Sequence, residues 1–199
     1  MTALPKTQQQ LHSLVTDSGE LQRSLVEVPL AAPGADEVVV RVEATPINPS
    51  DLGGLFAGAS WADFTQTGTP GHPALTGQVP AAALPALRPR VGERLVVGNE
   101  SAGVVVAAGS NPEAQHLLGK TVALTGGEMY QQYRTVKAND CLVLDAQSTP
   151  ADGASSYVNP LTSQAMVEVM RLEGHKALVH TAAASNLGQM LNKVCRDDG

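Results

Sequence analysis

The feature that most constrains the fold is a series of short β-branched runs separated by glycine and proline. These runs, between residues 37 and 145, are "EVVVRVEAT", "RLVVG", "SAGVVVAAG", "KTVALTGG", "MYQQYRTV" and "CLVLD". Strand-like runs with tight turns between them are typical of antiparallel barrels or sandwiches, whereas βαβ units would place helices between the strands. The sequence therefore predicts an antiparallel β domain.

Two stretches lack this pattern. The residues up to about Ser18 are polar and Gln-rich, which predicts a mobile lead-in or a first edge strand. Between Gly53 and Gly92 the chain is rich in Ala, Gly, Pro and Thr, which predicts a long surface excursion. Such an excursion is either a functional lid or a tolerated insertion, and the residues leave both open.

The periodicity changes near Pro150. Apolar residues recur at helix-face intervals over residues 161–172 and predict a helix that ends at Gly174. The run "HKALVHT" then predicts a strand covered on both faces. We therefore expect one domain over residues 1–150 and a second that starts at residue 151.

The last predicted elements are a turn of small residues and an amphipathic helix from Leu187, with Ser185 or Asn186 as N-cap and Gly199 as C-terminal glycine. Free N–H groups at the positive end of a helix suit a pyrophosphate. Of the dinucleotide fingerprint Gly-x-Gly-x-x-Gly, however, only the third glycine is present, as Gly188. The residues alone leave open a phosphate cradle or an ordinary packing turn.

Composition argues against several partners. The net charge is −6, the pI is about 5.3 and no basic cluster occurs, so we expect no nucleic-acid partner. The apolar runs are too short for a signal peptide or a membrane span, so we expect a cytoplasmic protein without a membrane partner. Cys141 and Cys195 are far apart and the five histidines are scattered singly, so we expect reduced thiols and no metal.

Four stretches in chain order resemble the medium-chain dehydrogenase/reductase superfamily, and within it the zinc-independent quinone and enoyl-thioester reductases. They are "VEATPINPSDL", "VVGNESAGVVVAAGS", "YVNPLTSQAMVE" and "VHTAAASNLGQM". The resemblance implies an α+β fold moving into α/β, namely a GroES-like antiparallel β-barrel domain over residues 1–150 and the first βα unit of a Rossmann domain over residues 151–199. It also implies that the chain is truncated after the first part of that domain, as a fragment or an incomplete gene model.

The same resemblance implies site residues. Asn48 would lie beside the nicotinamide and the substrate carbonyl, although an Asx-turn before Pro49 explains it equally well and both can hold. Asn159 and Thr162 would face the cofactor from a helix start, with capping as the alternative. Glu100 is expected to be structural, buried and paired. The pyrophosphate would be held by Ala183, Ala184, Ser185, Asn186, Leu187 and Gly188.

The resemblance also implies chemistry without zinc. The first zinc-ligand position of the alcohol dehydrogenases falls at residues 48–51, which contain no cysteine, and Asn99 stands where histidine would be. What remains is hydride transfer from NADP or NAD to an activated alkene, an enoyl thioester or a quinone. Ala59 and Ser60 stand where the enoyl-thioester reductases have a tyrosine that protonates the product, so the proton donor is not identified.

The leading interpretation is therefore an NAD(P)H-dependent, zinc-independent oxidoreductase acting on a small-molecule substrate. The chain by itself is expected to be inactive and to bind nucleotide poorly, and a homodimer is expected of the full-length parent. The alternative is a non-enzymatic GroES-like interaction or regulatory module that pairs with full-length subunits. A zinc alcohol dehydrogenase with displaced ligands is a more remote alternative.

Overall fold

The structure is a computed structural model that describes residues 4–197. The chain divides into two compact units, Met1–Ala154 and Ser155–Gly199. The strands, all in the first unit, are β1 (Thr7–Val15), β2 (Glu20–Pro29), β3 (Glu37–Ala44), β4 (Thr65–Thr69), β5 (His72–Gln78), β6 (Arg94–Val96), β7 (Glu100–Ala108), β8 (Thr121–Thr125), β9 (Tyr133–Lys137) and β10 (Leu142–Val143).

These strands form two five-stranded sheets, ordered β4-β5-β2-β1-β6 and β10-β8-β7-β3-β9. Every pairing between these strands is antiparallel. Residues 130–132 connect the sheets, because the Leu11 N–H donates to the Tyr130 carbonyl and the Val42 N–H to the Gln132 carbonyl, both at 2.9 Å. The predicted antiparallel barrel domain is confirmed.

The polar N-terminal stretch contains a strand, as one of the two expectations had it, but the expected edge position is wrong. It forms β1, which lies between β2 and β6 in the first sheet. Its glutamines are held by side-chain pairing, since the Oε1 of Gln131 accepts hydrogen bonds from Gln8 (3.2 Å) and Gln10 (2.8 Å). Amides that satisfy each other can occupy a central strand without the apolar alternation by which strands are recognised in a sequence.

The stretch between Gly53 and Gly92 is also more ordered than expected. It contains the β4–β5 hairpin, closed by Pro70 and Gly71, and then α2 (Leu84–Leu87). All five residues of β4 are exposed, so this strand shows no alternation of buried and exposed residues. Backbone pairing with β5 therefore holds β4, and the predicted surface excursion is an exposed stretch that contains a hairpin and a helix.

Three further helices belong to the first unit: α1 (Pro49–Phe56), α3 (Pro112–Leu117) and α4 (Pro150–Gly153). Two apolar clusters form its core. One joins the second sheet to α3 through buried Val38, Val40, Val105, Ala114, Leu117, Val122, Leu124, Met129 and Ala138. The other joins the first sheet to the end of α1 and the residues after it through Val15, Leu21, Ala57, Ala59 and Val79.

The second unit contains α5 (Val158–Leu172) and α6 (Asn186–Asp197), so both predicted helices are present. Gly174 follows α5 with φ +71°, as a helix-ending glycine should. The strand expected over His175–Thr181 is not formed, because residues 177–180 make no ladder hydrogen bonds with another strand. The side chain of Val179, which such a strand would bury, is 91% exposed. An extended segment becomes a strand by pairing, and the described part of the chain gives this one no neighbour. Gly199 lies outside the described residues.

None of the helices within residues 4–197 combines the length and the apolar character that a membrane crossing requires.

Strands β7 and β3 approach each other closely at Gly103, and a substitution there tests this contact. A Cβ added there would overlap the Arg41 carbonyl oxygen of β3, beside a register shift in that ladder. We expect Gly103→Ala to lower the free energy of unfolding by about 1–3 kcal/mol, measured by urea titration followed by circular dichroism. Gly53→Ala is the control, because it lies in α1 with no atom within 4 Å of its added Cβ. This control should be neutral or slightly stabilising, and equal effects of the two variants would contradict the packing argument.

Candidate functional site

The site is built around the start of α1. Asn48 is the N-cap residue, with extended backbone (φ −83°, ψ 155°), and Pro49 follows at the first helical position. The Asp51 carboxylate accepts two backbone N–H hydrogen bonds, from Asn48 at 2.7 Å and from Asn99 at 3.0 Å. Asn48 and Asp51 are each only 4% exposed. Asp51 therefore ties the first turn of α1 to the segment between β6 and β7.

Glu100 fixes the side chain of Asn48. It is 1% exposed at the start of β7, and its Oε1 accepts a hydrogen bond of 2.8 Å from Asn48 Nδ2. The expectation that Glu100 is buried and paired is confirmed. Asn48 also shapes the turn before Pro49, so the turn-forming role is present, while its contact with a nicotinamide remains a prediction.

Tyr130 is a further neighbour of the start of α1. It lies ahead of β9, and its hydroxyl donates to the Pro46 carbonyl at 2.8 Å. Burial, followed by the charges of Asp51 and Glu100, raises the pKa of this phenol well above its usual value, so it stays protonated. The ring of Tyr130 packs against Gly98, since a Cβ added at Gly98 would lie 2.6 Å from it. This glycine is therefore the sequence signal for a close neighbour at this point.

The far end of α1 is held by two arginines that the sequence analysis did not single out. Arg23 Nη2 donates to the Gly54 carbonyl at 2.8 Å, and Arg90 Nη1 to the Gly53 carbonyl at 3.4 Å. Both guanidinium groups also donate to the hydroxyl of Ser13, which is fully buried. Cations at the last carbonyls of a helix complement its dipole, so α1 is fixed at both ends.

The residues at the start of α1 do not fit zinc. Zinc sites in proteins use thiolate, imidazole and carboxylate ligands held close together. Here the carboxylates of Asp51 and Glu100 already accept hydrogen bonds from N–H groups, and the adjacent side chains are the amides of Asn48 and Asn99. Within residues 4–197, no group of three His, Cys, Asp or Glu side chains could hold a metal ion. We therefore derive no step through a metal here.

In the second unit, the predicted pyrophosphate turn is a tight one. Ser185 is the N-cap of α6: its hydroxyl accepts the Gly188 N–H at 3.1 Å and donates to the Ala182 carbonyl at 2.7 Å. A Cβ on Gly188 would lie 2.5 Å from the Ala182 oxygen, so this position requires glycine. Residues 181–186 are exposed, and the N–H groups of Asn186 and Leu187 lie in the helical turn that lacks intrahelical partners. These features fit a phosphate of a nucleotide.

The other two predicted cofactor residues lie three positions apart on α5 and differ in burial, since Asn159 is buried and Thr162 is partly exposed. Neither is a cap, because Tyr157 is the N-cap residue of α5 and makes no side-chain capping bond. Asn159 is 9% exposed and shares a face with Ser163, whose hydroxyl donates to the Asn159 carbonyl at 2.9 Å or the Leu187 carbonyl at 3.2 Å. Thr162 donates to the Val158 carbonyl at 2.6 Å and lines a different surface. Ser163, which the sequence analysis missed, therefore links α5 to the turn.

Thr162 belongs to an open apolar groove in the second unit. The groove has a volume of about 750 Å³ and is lined by Leu161, Thr162, Ala165, Met166, Val169, Met170, His175, Ala177, Leu178 and Val179. Leu161 and Val169 are more than half exposed. The unpaired segment that follows Gly174 forms one side of this groove.

Comparison with known proteins agrees with this geometry. Residues 34–146 match the alcohol dehydrogenase GroES-like domain family, so the chain belongs to that family. A Mesorhizobium loti protein assigned as an NADPH:quinone reductase is 25% identical, with a TM-score of 0.67. The match covers 100% of this chain and 54% of that one.

Two further solved structures share the fold. The CurK enoyl reductase is 19% identical with a TM-score of 0.61, over 97% of this chain and 52% of that one. A mycobacterial protein solved with NADPH is 17% identical with a TM-score of 0.58, over 95% of this chain and 50% of that one. The chain thus spans about half the length of these structures. The resemblance to the medium-chain dehydrogenase/reductase superfamily, in its quinone and enoyl reductase branch, is confirmed.

The hydrogen bond between Asn48 and Glu100 can be tested by exchanging the amide and the carboxylate between the two positions. Asn48→Asp would place two buried carboxylates at about the 2.8 Å contact distance, which we expect to cost about 3 kcal/mol of unfolding free energy at neutral pH. The double variant Asn48→Asp with Glu100→Gln restores an amide–carboxylate pair and should recover most of that loss. Urea unfolding at a series of pH values measures both effects.

The direction in which the stability of Asn48→Asp changes with pH also follows from this pairing. Mutual repulsion raises the pKa of one carboxyl in folded Asn48→Asp above its unfolded value, so the folded state binds more protons. The stability deficit should therefore shrink as the pH falls through that raised pKa. A single variant as stable as the native chain at neutral pH would show that the two side chains do not interact as described.

Proposed function

We propose that this chain provides the substrate-binding unit and the first nucleotide-binding turn of an NAD(P)H-dependent, zinc-independent reductase. Its substrate class is an activated alkene, an enoyl thioester or a quinone. The observation that carries the proposal is the buried arrangement of Asn48, Asp51 and Glu100, which presents an amide where zinc dehydrogenases need a metal ligand.

The nucleotide would be held by the turn of the second unit. Ala183 and Ala184 are small and exposed, and Asn186 and Leu187 offer N–H groups at the start of α6. Gly188 allows the turn to pack closely, and Ser185 holds its shape. Asn159 and Thr162 are proposed to contact the cofactor from α5. The bound nicotinamide supplies the hydride.

The residues of the first unit bind and orient the substrate. When hydride adds to the carbon conjugated with a carbonyl, negative charge develops on the carbonyl oxygen, and polar groups that are fixed beforehand stabilise it best. Asn48 is such a group, because Glu100 and Asp51 hold its side chain and its backbone before any substrate binds. Because its pKa is raised, Tyr130 keeps its proton at neutral pH and adds no negative charge near the developing charge on the substrate.

A hybrid enzyme tests this proposal. Residues 1–154 of this chain would replace the corresponding unit of the Mesorhizobium loti relative, and NADPH oxidation would be followed with a quinone, an enone and an enoyl thioester. We expect reduction of at least one acceptor, and a loss of about 10²- to 10³-fold in kcat/KM for Asn48→Ala. Asn111→Ala is the matched control, because Asn111 is exposed and makes no side-chain cap bond. A hybrid with native circular dichroism and no activity on any acceptor would contradict the proposal.

The second candidate is a GroES-like interaction module that pairs with full-length subunits. The apolar groove of the second unit favours it, because an exposed apolar surface of this kind marks contact sites. If this candidate is correct, size-exclusion chromatography of the 199-residue chain with a full-length subunit should show a complex that Val169→Lys disrupts. Leu142→Lys, at a 43%-exposed leucine of β10, is the control. A chain that elutes as a monomer under all conditions would exclude this candidate.

A further inference from the structure

The first sheet carries a cationic centre without an anion. Arg23 is 5% exposed, and within residues 4–197 neither Arg23 nor Arg90 forms a salt bridge with a carboxylate. Their hydrogen bonds go to neutral oxygens of Ser13, Gln22, Gly53 and Gly54. The buried Nε atoms of both arginines have no hydrogen-bond partner. A buried cation beside a second, half-buried one, with no counter-ion for either, is unusual, since buried charges are normally paired.

Both the burial and the lack of a counter-ion affect the pKa values of these arginines. Burial, and then the charge of Arg90, lower the pKa of Arg23 to about 9. Burial also lowers the pKa of Arg90. In both cases the surroundings disfavour the cation, and a bound anion would offset that effect.

Strand register surrounds Arg23 with leucines. Arg23 of β2 pairs directly with Ser13 of β1 and Leu75 of β5, and Leu25 pairs with Leu11. Directly paired residues project from the same face of a sheet, as do residues two apart along a strand, so these side chains share one face. Leu75 is 46% and Leu25 36% exposed on that face, although leucines between paired strands usually face a core.

The face contains a recess of about 300 Å³. It is lined by Leu11, Arg23, Leu25, Gln66, Pro73, Ala74 and Leu75, and none of these is acidic. At about 30 Å³ per water-sized group, this volume holds about ten non-hydrogen atoms. A second recess, which reaches Tyr130, shares Leu11 and Leu25 with it.

We propose that this recess is a binding site for a small amphipathic monoanion, namely a carboxylate on a short unbranched alkyl chain of about eight carbons. Arg23 provides the charge complement at its floor, and Leu11, Leu25 and Leu75 cover the alkyl chain. This site lies in the first sheet, does not use Asn48 or the nucleotide turn, and is independent of the proposed reductase activity.

Isothermal titration calorimetry on the 199-residue chain tests the proposal, with sodium octanoate as the probe and 1-octanol as its uncharged counterpart. We expect saturable one-to-one binding of octanoate and binding of octanol that is roughly ten- to hundredfold weaker, as expected for the loss of a charge-assisted hydrogen bond. From butanoate to octanoate, affinity should rise about fourfold per methylene. Equal affinities for octanoate and octanol would overturn the assignment of Arg23.

Two variants locate the site. Leu75→Asp places a negative, polar side chain in the recess and should abolish octanoate binding, while Leu142→Asp on the other sheet should leave it unchanged. Arg23→Gln should lower the affinity for octanoate to that for octanol and leave octanol binding unaltered. If Arg23→Gln does not fold, judged by circular dichroism, the pair of leucine variants still decides. Octanoate binding that is non-saturable, or that survives Leu75→Asp, would show that the recess is not the site.

Discussion

The candidate site depends on one buried carboxylate. Asp51 accepts hydrogen bonds from two backbone N–H groups that belong to different parts of the chain, Asn48 before α1 and Asn99 before β7. With Asp51 in place, Asn48 can reach Glu100, because the start of the helix and the start of the strand are held together. Hydrogen bonds from a carboxylate to N–H groups are charge-assisted and stronger than neutral ones. Without Asp51, two backbone N–H groups would lose their acceptors, and α1 would lose one of its links to the segment that leads into β7.

The opposite end of α1 is held by a different means. Arg23 and Arg90 donate to the carbonyls of Gly54 and Gly53, so the helix has an anion at its N-terminus and cations at its C-terminus. Both arrangements follow the direction of the helix dipole. The position of Asn48 is therefore fixed by contacts to both sheets.

The sequence predicted the local geometry at several candidate residues better than it predicted the surrounding strands. Asn48, Glu100, Ser185 and Gly188 stand in local motifs whose spacing sets their backbone geometry, so their local placement was accessible. The central position of β1 and the strand β4 were missed, because β1 replaces apolar alternation with paired glutamines and β4 is wholly exposed. Arg23 and Arg90 were missed because they meet at Ser13 only through strand register and a long connection. Register is a property of the whole sheet and leaves no local pattern around an arginine.

The second unit shows what a motif achieves without the sheet that usually accompanies it. Ser185 and Gly188 form the turn from local hydrogen bonds and steric fit, and Ser163 joins α5 to the start of α6. None of these contacts needs a paired strand, which explains why the helix start is formed although residues 177–180 join no ladder. The apolar side chains of the expected strand, by contrast, can be covered only by neighbouring strands and helices, so Val179 and the groove beside it are exposed. The conformation of the turn and the burial of the segment before it therefore depend on different parts of the sequence. Within the described residues, this unit has the turn but little of that burial.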